Sequence, residues 1–207
     1  MKEFPCQLYL ISPLDVGGDF PAHLEAALSA GPVAAFQFRV KELDQHEAAA
    51  LAEPLQAICA AHDVAFIVND SVALAKRLKA DGVHLGQGDG DVREARELLG
   101  SNAQIGVTCH NSRHLAMEAA EAGADYVAFG AFYPTATKAV DHVAELDTLQ
   151  KWSFVTEVPC VAIGGITPDN AKPLVDAGAD FIAVSGAVWS YPHGPAEAVK
   201  AFNALLA

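Results

Sequence analysis

Short apolar runs alternate along the chain with longer stretches rich in alanine and leucine. The short runs predict eight strands, at residues 7–11, 33–39, 64–68, 82–85, 104–107, 125–130, 158–163 and 181–184. The longer stretches predict eight helices, at residues 21–29, 45–61, 72–79, 91–99, 112–122, 143–154, 168–177 and 195–206. We expect Pro54 to kink or split the second helix, because proline lacks a backbone N–H.

The regular alternation of strands and helices predicts an α/β fold. Most of the strands are apolar throughout, which is typical of a parallel sheet buried on both faces. Eight strand–helix units predict a single-domain (β/α)₈ TIM barrel over residues 1–207, slightly short of the typical length of ~250 residues. A doubly wound open sheet is the alternative, but no GxGxxG motif follows the first strand. Similar phrases at residues 81–83, 123–127 and 178–182 indicate a recurring helix-to-strand turn.

Composition narrows the classes of function. Hydrophobic residues make up 52% of the chain and charged residues 19%, which predicts a sizeable core. The net charge of −13 argues against a nucleic acid partner, since a phosphate backbone requires a basic surface. The four cysteines lack a CxxC pair, so we expect buried thiols in a reducing compartment. We find no signal-peptide pattern and no apolar run of ~18 residues, and therefore expect a cytoplasmic protein with no membrane partner.

The stretch from Phe36 to Lys41 carries three polar side chains that alternate with apolar ones. In an extended chain, residues two apart share a face, so Gln37, Arg39 and Lys41 are expected to point the same way. The chain has only 13 lysine and arginine residues, which makes such a cluster unusual. An amide, a guanidinium and an ammonium group on one face predict a site for a polyanion; a solvated strand edge is the alternative.

Polar residues follow most of the predicted strands, where a barrel of this kind has its active site. In strand order from the second, they are Arg39 and Lys41, Asn69 and Asp70, Gln87 and Asp89, Thr108, then Thr135, Thr137 and Lys138, then Gly164 and Gly165, and finally Ser185 and Gly186. Loops are polar in general, so each residue alone is a weak signal. Their joint position favours one site at the barrel mouth.

Two carboxylates, Asp70 and Asp89, follow neighbouring strands beside the basic cluster. A hard divalent ion such as Mg²⁺ takes one or two carboxylates together with phosphate oxygens of a substrate. With such a metal, Arg39, Lys41 and Lys138 would neutralise a diphosphate. The alternative is that Asp70 caps the following helix and that Asp89 is a turn residue.

A second anion site is predicted after the seventh and eighth strands. The pairs Gly164-Gly165 and Ser185-Gly186 stand where barrels commonly bind phosphate, since glycine lets backbone N–H groups approach closely. Thr135 and Thr137 would add hydroxyl groups. Glycines used only for tight turns are the alternative. Two anion sites indicate two substrates, one with a diphosphate and one with a monophosphate.

Six segments together carry a resemblance to a known family: 37–41 (QFRVK), 68–70 (VND), 82–89 (GVHLGQGD), 106–110 (GVTCH), 133–138 (YPTATK) and 163–166 (IGGI). From residue 8 to about residue 201 the chain resembles the thiamine phosphate synthase family. That resemblance implies a (β/α)₈ enzyme that joins hydroxymethylpyrimidine diphosphate to hydroxyethylthiazole phosphate. Diphosphate is released and thiamine phosphate is formed.

The resemblance also assigns roles to residues. It implies that the pyrimidine diphosphate is held by Gln37, Arg39, Lys41, Asn69, Thr108 and Lys138. It implies that Mg²⁺ is held by Asp70 and Asp89, and the thiazole phosphate by Thr135, Thr137, Gly165, Ser185 and Gly186. Catalysis is assigned to Arg39, Lys41, Thr108 and Lys138. The implied mechanism is dissociative, so it needs charge stabilisation and positioning but no protein nucleophile.

The chain departs from the family pattern at several positions. Ser71 stands where arginine is frequent, and Thr108 stands where serine is usual, which keeps the hydroxyl group. Ser185 lies one position earlier than in many members. It therefore stays open whether Ser185 binds the thiazole phosphate through its side chain or only through its backbone N–H. Asp91 is an alternative to Asp89 as metal ligand.

Other readings remain open. His84 and His110 lie within family motifs, where packing or orienting roles are favoured over proton transfer. A related thiazole tautomerase generally carries a histidine after the sixth strand, where this chain has Ala131, so the synthase is favoured. A non-catalytic phosphate-sensing barrel would not need a metal. Association into a homo-oligomer is left open.

Overall fold

The strands of the computed structural model, which describes residues 5–135 and 142–206, are parallel and close into a barrel in chain order. They are β1 (Gln7–Ile11), β2 (Ala35–Phe38), β3 (Ala65–Asn69), β4 (Gly82–Leu85), β5 (Gln104–His110), β6 (Tyr126–Gly130), β7 (Cys160–Ile163) and β8 (Phe181–Val184). Closure is direct, because β1 pairs with β8 from Gln7 opposite Phe181 to Leu10 opposite Val184. The predicted (β/α)₈ barrel is confirmed, and the open sheet is excluded.

Helices surround the barrel. Within the described residues they are α1 (Phe20–Leu28), α2 (Gln45–Ala61), α3 (Val72–Leu78), α4 (Val92–Leu99), α5 (Arg113–Glu121), α6 (Leu146–Val155), α7 (Lys172–Asp176), α8 (Gly186–Trp189) and α9 (Pro195–Leu206). Among these residues, no helix combines the length and apolar content that crossing a membrane requires.

Several helix boundaries follow from N-capping side chains. Asp91 and Ser112 were predicted to be the first residues of their helices, but each precedes its helix and caps it. The Asp91 carboxylate accepts the Arg93 N–H at 2.8 Å, and the Ser112 hydroxyl accepts the Leu115 N–H at 3.3 Å. A capping side chain satisfies an N–H group that has no partner within the helix, so it stands just outside the helical turn.

Helix α2 has its predicted bounds, Gln45 to Ala61, and is not split at Pro54. Other predicted boundaries were wrong for reasons beyond local sequence. Helix α6 begins at Leu146 instead of residue 143, because the Ala144 N–H donates to the carbonyl of Ala131. Helix α7 begins four residues later than predicted, and α8 was not predicted. Strand β5 extends to His110 through a register shift between residues 108 and 110.

The core has two layers, as the uniformly apolar strands predict. Along β1, Leu8 and Leu10 belong to the large cluster between barrel and helices. Tyr9 and Ile11 belong to a smaller cluster inside the barrel. Alternate residues therefore bury opposite faces of each strand.

An aspartate repeats at the entrance of β4, β6 and β8, in the three similar phrases of the sequence. Each carboxylate accepts the N–H of a residue in the preceding strand: Asp81 from Phe66 at 2.7 Å, Asp125 from Ile105 at 2.6 Å and Asp180 from Cys160 at 2.8 Å. Each aspartate N–H also donates to the carbonyl of that residue. We call this two-bond contact the aspartate clasp. It fixes neighbouring strands at the end of the barrel away from the predicted site.

Candidate active site

The predicted site residues that the structure describes lie in the carboxyl-terminal parts of the strands or in the segments that follow them. Gln37, Asn69 and Thr108 lie on β2, β3 and β5; Arg39, Lys41, Asp70, Asp89, Thr135, Gly165, Ser185 and Gly186 lie in the segments after the strands. Thr137 and Lys138 lie outside the described residues. Because the strands are parallel, their carboxyl ends meet at one mouth of the barrel.

Asp70 is held at the mouth by the backbone and paired with a lysine. Its φ of 63° lies in the left-handed region, and its N–H donates to the carbonyl of His84 at 2.8 Å. The Asp70 Oδ2 atom lies 2.5 Å from Lys41 Nζ. Ser71, not Asp70, caps helix α3 by accepting the Leu74 N–H at 3.2 Å. The capping alternative for Asp70 is therefore wrong, and its carboxylate is available at the mouth.

Asp89 folds back on its own turn. Its Oδ2 accepts the Gly86 N–H at 2.9 Å. A Cβ atom at Gly86 would lie 2.5 Å from Asp89 Oδ2, so glycine is required for this approach. Asp89 is thus a turn residue, as the alternative held, but its carboxylate also interacts with Asp70. Asp91, in contrast, has its carboxylate bound to the first turn of α4.

The two carboxylates influence each other electrostatically. Burial acts to raise the pKa of Asp70, but hydrogen bonds with Lys41 and Asp89 outweigh it and hold that pKa below its usual value. The pKa of Asp89 is raised by burial and by the neighbouring Asp70. No cluster of three or more His, Cys, Asp or Glu side chains is placed to hold a metal ion in residues 5–135 and 142–206. A cation held by Asp70 and Asp89 would need further oxygen ligands from elsewhere.

Arg39 presents an unsatisfied donor at the same mouth. Its backbone is fixed by Ser12, whose hydroxyl oxygen accepts the Arg39 N–H at 2.9 Å. Its Nη1 atom is buried and has no hydrogen-bond partner among the described residues. A buried donor without a partner costs about 1–3 kcal/mol, more when charged. An anion bound at the mouth would remove that cost.

A chain of hydrogen bonds crosses the barrel interior below the mouth. Gln37 Nε2 donates to Tyr9 Oη at 3.0 Å, and the Tyr9 and Tyr126 hydroxyl oxygens lie 2.9 Å apart. Tyr126 Oη lies 3.1 Å from His84 Nδ1, and His84 Nε2 lies 2.8 Å from Thr108 Oγ1. Burial lowers the pKa of His84 to about 4 and raises that of Tyr9 to about 12, so both side chains are uncharged near neutral pH. Both ring nitrogens of His84 thus have hydrogen-bonding neighbours, and its orienting role stays a prediction.

The glycines after β7 are required by close packing. A Cβ atom at Gly164 would lie 2.3 Å from that of Ala131, and one at Gly165 would lie 2.3 Å from the carbonyl oxygen of Pro134. The Tyr133 N–H donates to the Gly164 carbonyl at 3.0 Å. These contacts hold residues 131–134, which directly precede Thr135, against the turn after β7.

The turn after β8 uses its serine side chain internally. Ser185 Oγ donates to the carbonyl of Ser12 at 3.3 Å. The hydroxyl proton of Ser185 therefore has a partner within the protein. This contact favours the N–H groups of Ser185 and Gly186, not the serine side chain, as donors to a ligand.

Sequence reasoning missed several residues of the site. Ser12, which fixes the Arg39 backbone, and the tyrosines Tyr9 and Tyr126 carried no motif. A tyrosine within an apolar strand was a usable signal, since a buried hydroxyl group requires a partner. Gly106 was a second signal, since a glycine inside a strand indicates a close approach by another group. In the structure, a Cβ atom at Gly106 would lie 2.0 Å from Tyr126 Cζ.

One sizeable cavity lies elsewhere. It has a volume of about 750 Å³ and is lined in part by Ala65 and Gln104, the first residues of β3 and β5. It therefore opens at the end of the barrel opposite the mouth. The candidate site is therefore located by its clustered charged side chains and not by the volume of a cavity.

A closed parallel barrel with charged side chains after its strands has the architecture of a (β/α)₈ barrel enzyme. A sequence model described as thiamine monophosphate synthase matches residues 8–188. The chain belongs to this family, which confirms the resemblance carried by its motifs.

Individual relatives agree. The chain is 74% identical over 192 residues to a thiamine-phosphate synthase from Erythrobacter litoralis, a match that covers 91% of this chain and 90% of the relative. It is 53% identical over 202 residues to a thiamine-phosphate synthase from Rhodospirillum centenum, covering 97% and 98%. A solved thiamine phosphate pyrophosphorylase from Pyrococcus furiosus matches with a TM-score of 0.85 and 32% identity, covering 97% and 95%.

Proposed function

We propose that this chain couples hydroxymethylpyrimidine diphosphate to hydroxyethylthiazole phosphate, releasing diphosphate and forming thiamine phosphate. The family membership supports the reaction. One structural observation carries the assignment to this mouth. The buried Nη1 of Arg39, which has no hydrogen-bond partner among residues 5–135 and 142–206, belongs to the segment that also bears Lys41, and Lys41 contacts Asp70. That arrangement suits an anion with several oxygens.

The residues present fit a divalent cation. Asp70 and Asp89 interact closely enough for each to alter the pKa of the other. We infer that these two carboxylates hold Mg²⁺, with diphosphate oxygens among the remaining ligands. When bound, Mg²⁺ supplies positive charge that stabilises a leaving diphosphate. The binding of the Asp91 carboxylate to helix α4 supports Asp89 over Asp91 as the second ligand.

The chain's own residues would then stabilise charge and position the reactants. The carbon–oxygen bond of the pyrimidine methylene breaks with its electron pair leaving on the diphosphate, and the thiazole nitrogen supplies the pair for the new carbon–nitrogen bond. Arg39 and Lys41 would hold the leaving group, with Lys138 from outside the described residues. Gln37, Asn69 and Thr108 would orient the pyrimidine. No nucleophilic side chain is needed.

The thiazole phosphate would bind at the other side of the mouth. The N–H groups of Gly165, Ser185 and Gly186 are the proposed phosphate donors, joined by hydroxyl groups of Thr135 and Thr137. The packing of the glycine turn against residues 131–134 would keep this side rigid.

Purified protein incubated with Mg²⁺ and both substrates should form thiamine phosphate, which is detected by its oxidation to a fluorescent thiochrome. EDTA should abolish the reaction. Arg39→Gln and Asp70→Asn should lower kcat by ~10² or more, since they remove charge that acts in the transition state. Lys200→Gln, at an exposed lysine paired with Glu197 on α9, is the control that should retain activity. Absence of product, or turnover that ignores EDTA, would contradict the proposal.

A further inference from the structure

The hydrogen-bond chain inside the barrel links two residues of the proposed pyrimidine site. Its ends are Gln37 on β2 and Thr108 on β5, and its middle members are Tyr9, Tyr126 and His84. The proposed reaction assigns no role to the three middle residues. All three are buried: the exposed fractions are 3% for Tyr9, 7% for Tyr126 and 7% for His84.

Each middle residue has one proton to donate along the chain. A tyrosine hydroxyl group carries a single proton, and a neutral imidazole carries one N–H. Both ring nitrogens of His84 face uncharged hydroxyl groups of Tyr126 and Thr108. A buried ring in such surroundings is accommodated in its neutral form.

The direction of every bond then follows from one end. The amide nitrogen of Gln37 can only donate, so Tyr9 accepts from it and gives its own proton to Tyr126. Tyr126 in turn gives its proton to His84 Nδ1, which places the ring proton on Nε2. The Nε2–H group donates to Thr108, whose own proton is left for another acceptor.

Only one other arrangement keeps all four bonds and also uses the proton of every middle residue within the chain. In that arrangement every direction reverses, the carboxamide oxygen of Gln37 accepts from Tyr9, and the ring proton of His84 moves to Nδ1. A mixed arrangement either sets two donors or two acceptors against each other, or makes one tyrosine oxygen accept twice and leaves its buried proton without an acceptor in the chain. The orientation of Gln37 and the hydrogen-bonding role of Thr108 therefore change together.

We propose that Tyr9, Tyr126 and His84 are positioning residues, which couple the carboxamide of Gln37 to the hydroxyl group of Thr108 and hold His84 as its Nε2–H tautomer. This inference rests on the proposed function for the roles of Gln37 and Thr108. At one end Gln37 keeps its carboxamide oxygen and one N–H for the pyrimidine. At the other end Thr108 offers its proton. The pyrimidine would thereby meet hydrogen-bonding groups at Gln37 and at Thr108 whose donor and acceptor roles are fixed together.

Nuclear magnetic resonance of protein labelled with ¹⁵N histidine tests the tautomer without any substrate. At pH 7.5 the His84 ring should show a protonated Nε2 and an unprotonated Nδ1. In Tyr126→Phe this preference should be lost, since the phenyl ring fills the same space but offers no proton to Nδ1. Tyr133→Phe removes a hydroxyl group bonded to the Asn170 carbonyl and is the matched control that should leave the signals unchanged. An Nδ1–H tautomer in the wild type, or an unchanged ring in Tyr126→Phe, would overturn the proposal.

A double-mutant cycle tests the coupling in the assembled enzyme. The effects of Gln37→Met and Thr108→Val on kcat/KM should deviate from additivity by about fivefold or more in the wild type, since coupled residues are non-additive. In the Tyr126→Phe background they should combine within about twofold. Near-additive effects in the wild type, or coupling that survives Tyr126→Phe, would overturn the relay. If the protein forms no thiamine phosphate, the proposed function fails. The tautomer measurement still tests the direction of the hydrogen bonds through His84, because it needs no substrate.

Discussion

Acid should destabilise this protein through His84 in a way that can be measured. The pKa of His84 lies at about 4 in the folded protein, against an ordinary value of 6.5. The unfolded chain therefore binds a proton that the folded protein excludes between these two values. The His84 contribution to stability is complete above pH 6.5, is lost as the pH falls towards 4, and is constant below that. Since a tenfold difference in proton affinity corresponds to about 1.4 kcal/mol, the full contribution is about 3 kcal/mol.

The assay is urea unfolding at pH 7.5 and pH 4.5, followed by tryptophan fluorescence. Between these values the wild type should lose about 2–3 kcal/mol more than His84→Gln, because glutamine does not titrate. His84→Gln should start from a lower stability at pH 7.5, since it disturbs the hydrogen-bond chain. The control is His114→Gln on α5, where the histidine side chain is 81% exposed. This variant should lose as much stability between pH 7.5 and pH 4.5 as the wild type. If the wild type and His84→Gln lose equal stability, the neutral buried imidazole is refuted.

Two further pairs of substitutions test packing and the metal ligands. Gly106→Ala should lower the free energy of unfolding in urea by about 1–3 kcal/mol, because its methyl group would overlap the Tyr126 ring. The control Gly88→Ala meets no atom within 4 Å and should cost less than about 1 kcal/mol. Equal losses in the two variants would contradict this account. Asp89→Asn should lower kcat by ~10² or more with little loss of stability. Asp91→Ala should lose about 1 kcal/mol of stability, because it removes the cap of helix α4, and should retain most activity. The reverse pattern would make Asp91 the metal ligand.

The barrel was accessible from sequence because its signals are local. The strands at Gln7–Ile11, Gly82–Leu85 and Phe181–Val184 were predicted with their observed bounds. Parallel strands are short, apolar and bounded by turn residues, and their carboxyl ends mark the mouth of a barrel. Arg39 and Asp70 could therefore be assigned to one mouth before any geometry was known.

What the sequence could not supply depends on register between strands. Tyr9 and Tyr126 are separated by more than a hundred positions, and nothing local to either predicts that their hydroxyl groups meet. The shift that extends β5 to His110 likewise arises from its pairing with β6. Gly165 was predicted for its N–H, whereas the structure shows that its missing side chain admits the carbonyl of Pro134. Each of these features needs two distant segments to be placed together.

The aspartate clasp has a consequence for how such a barrel can change. It joins β3 to β4, β5 to β6 and β7 to β8, but the residues that precede the odd strands β3, β5 and β7 are Val64, Ala103 and Pro159, which have no carboxylate. Three strand pairs are therefore clasped at the end of the barrel opposite the mouth, whereas the pair β1–β2 is not, because Ala34 precedes β2. Because these three pairs are secured far from the chemistry, the upper loops can accumulate substitutions and acquire new substrates while the scaffold stays intact.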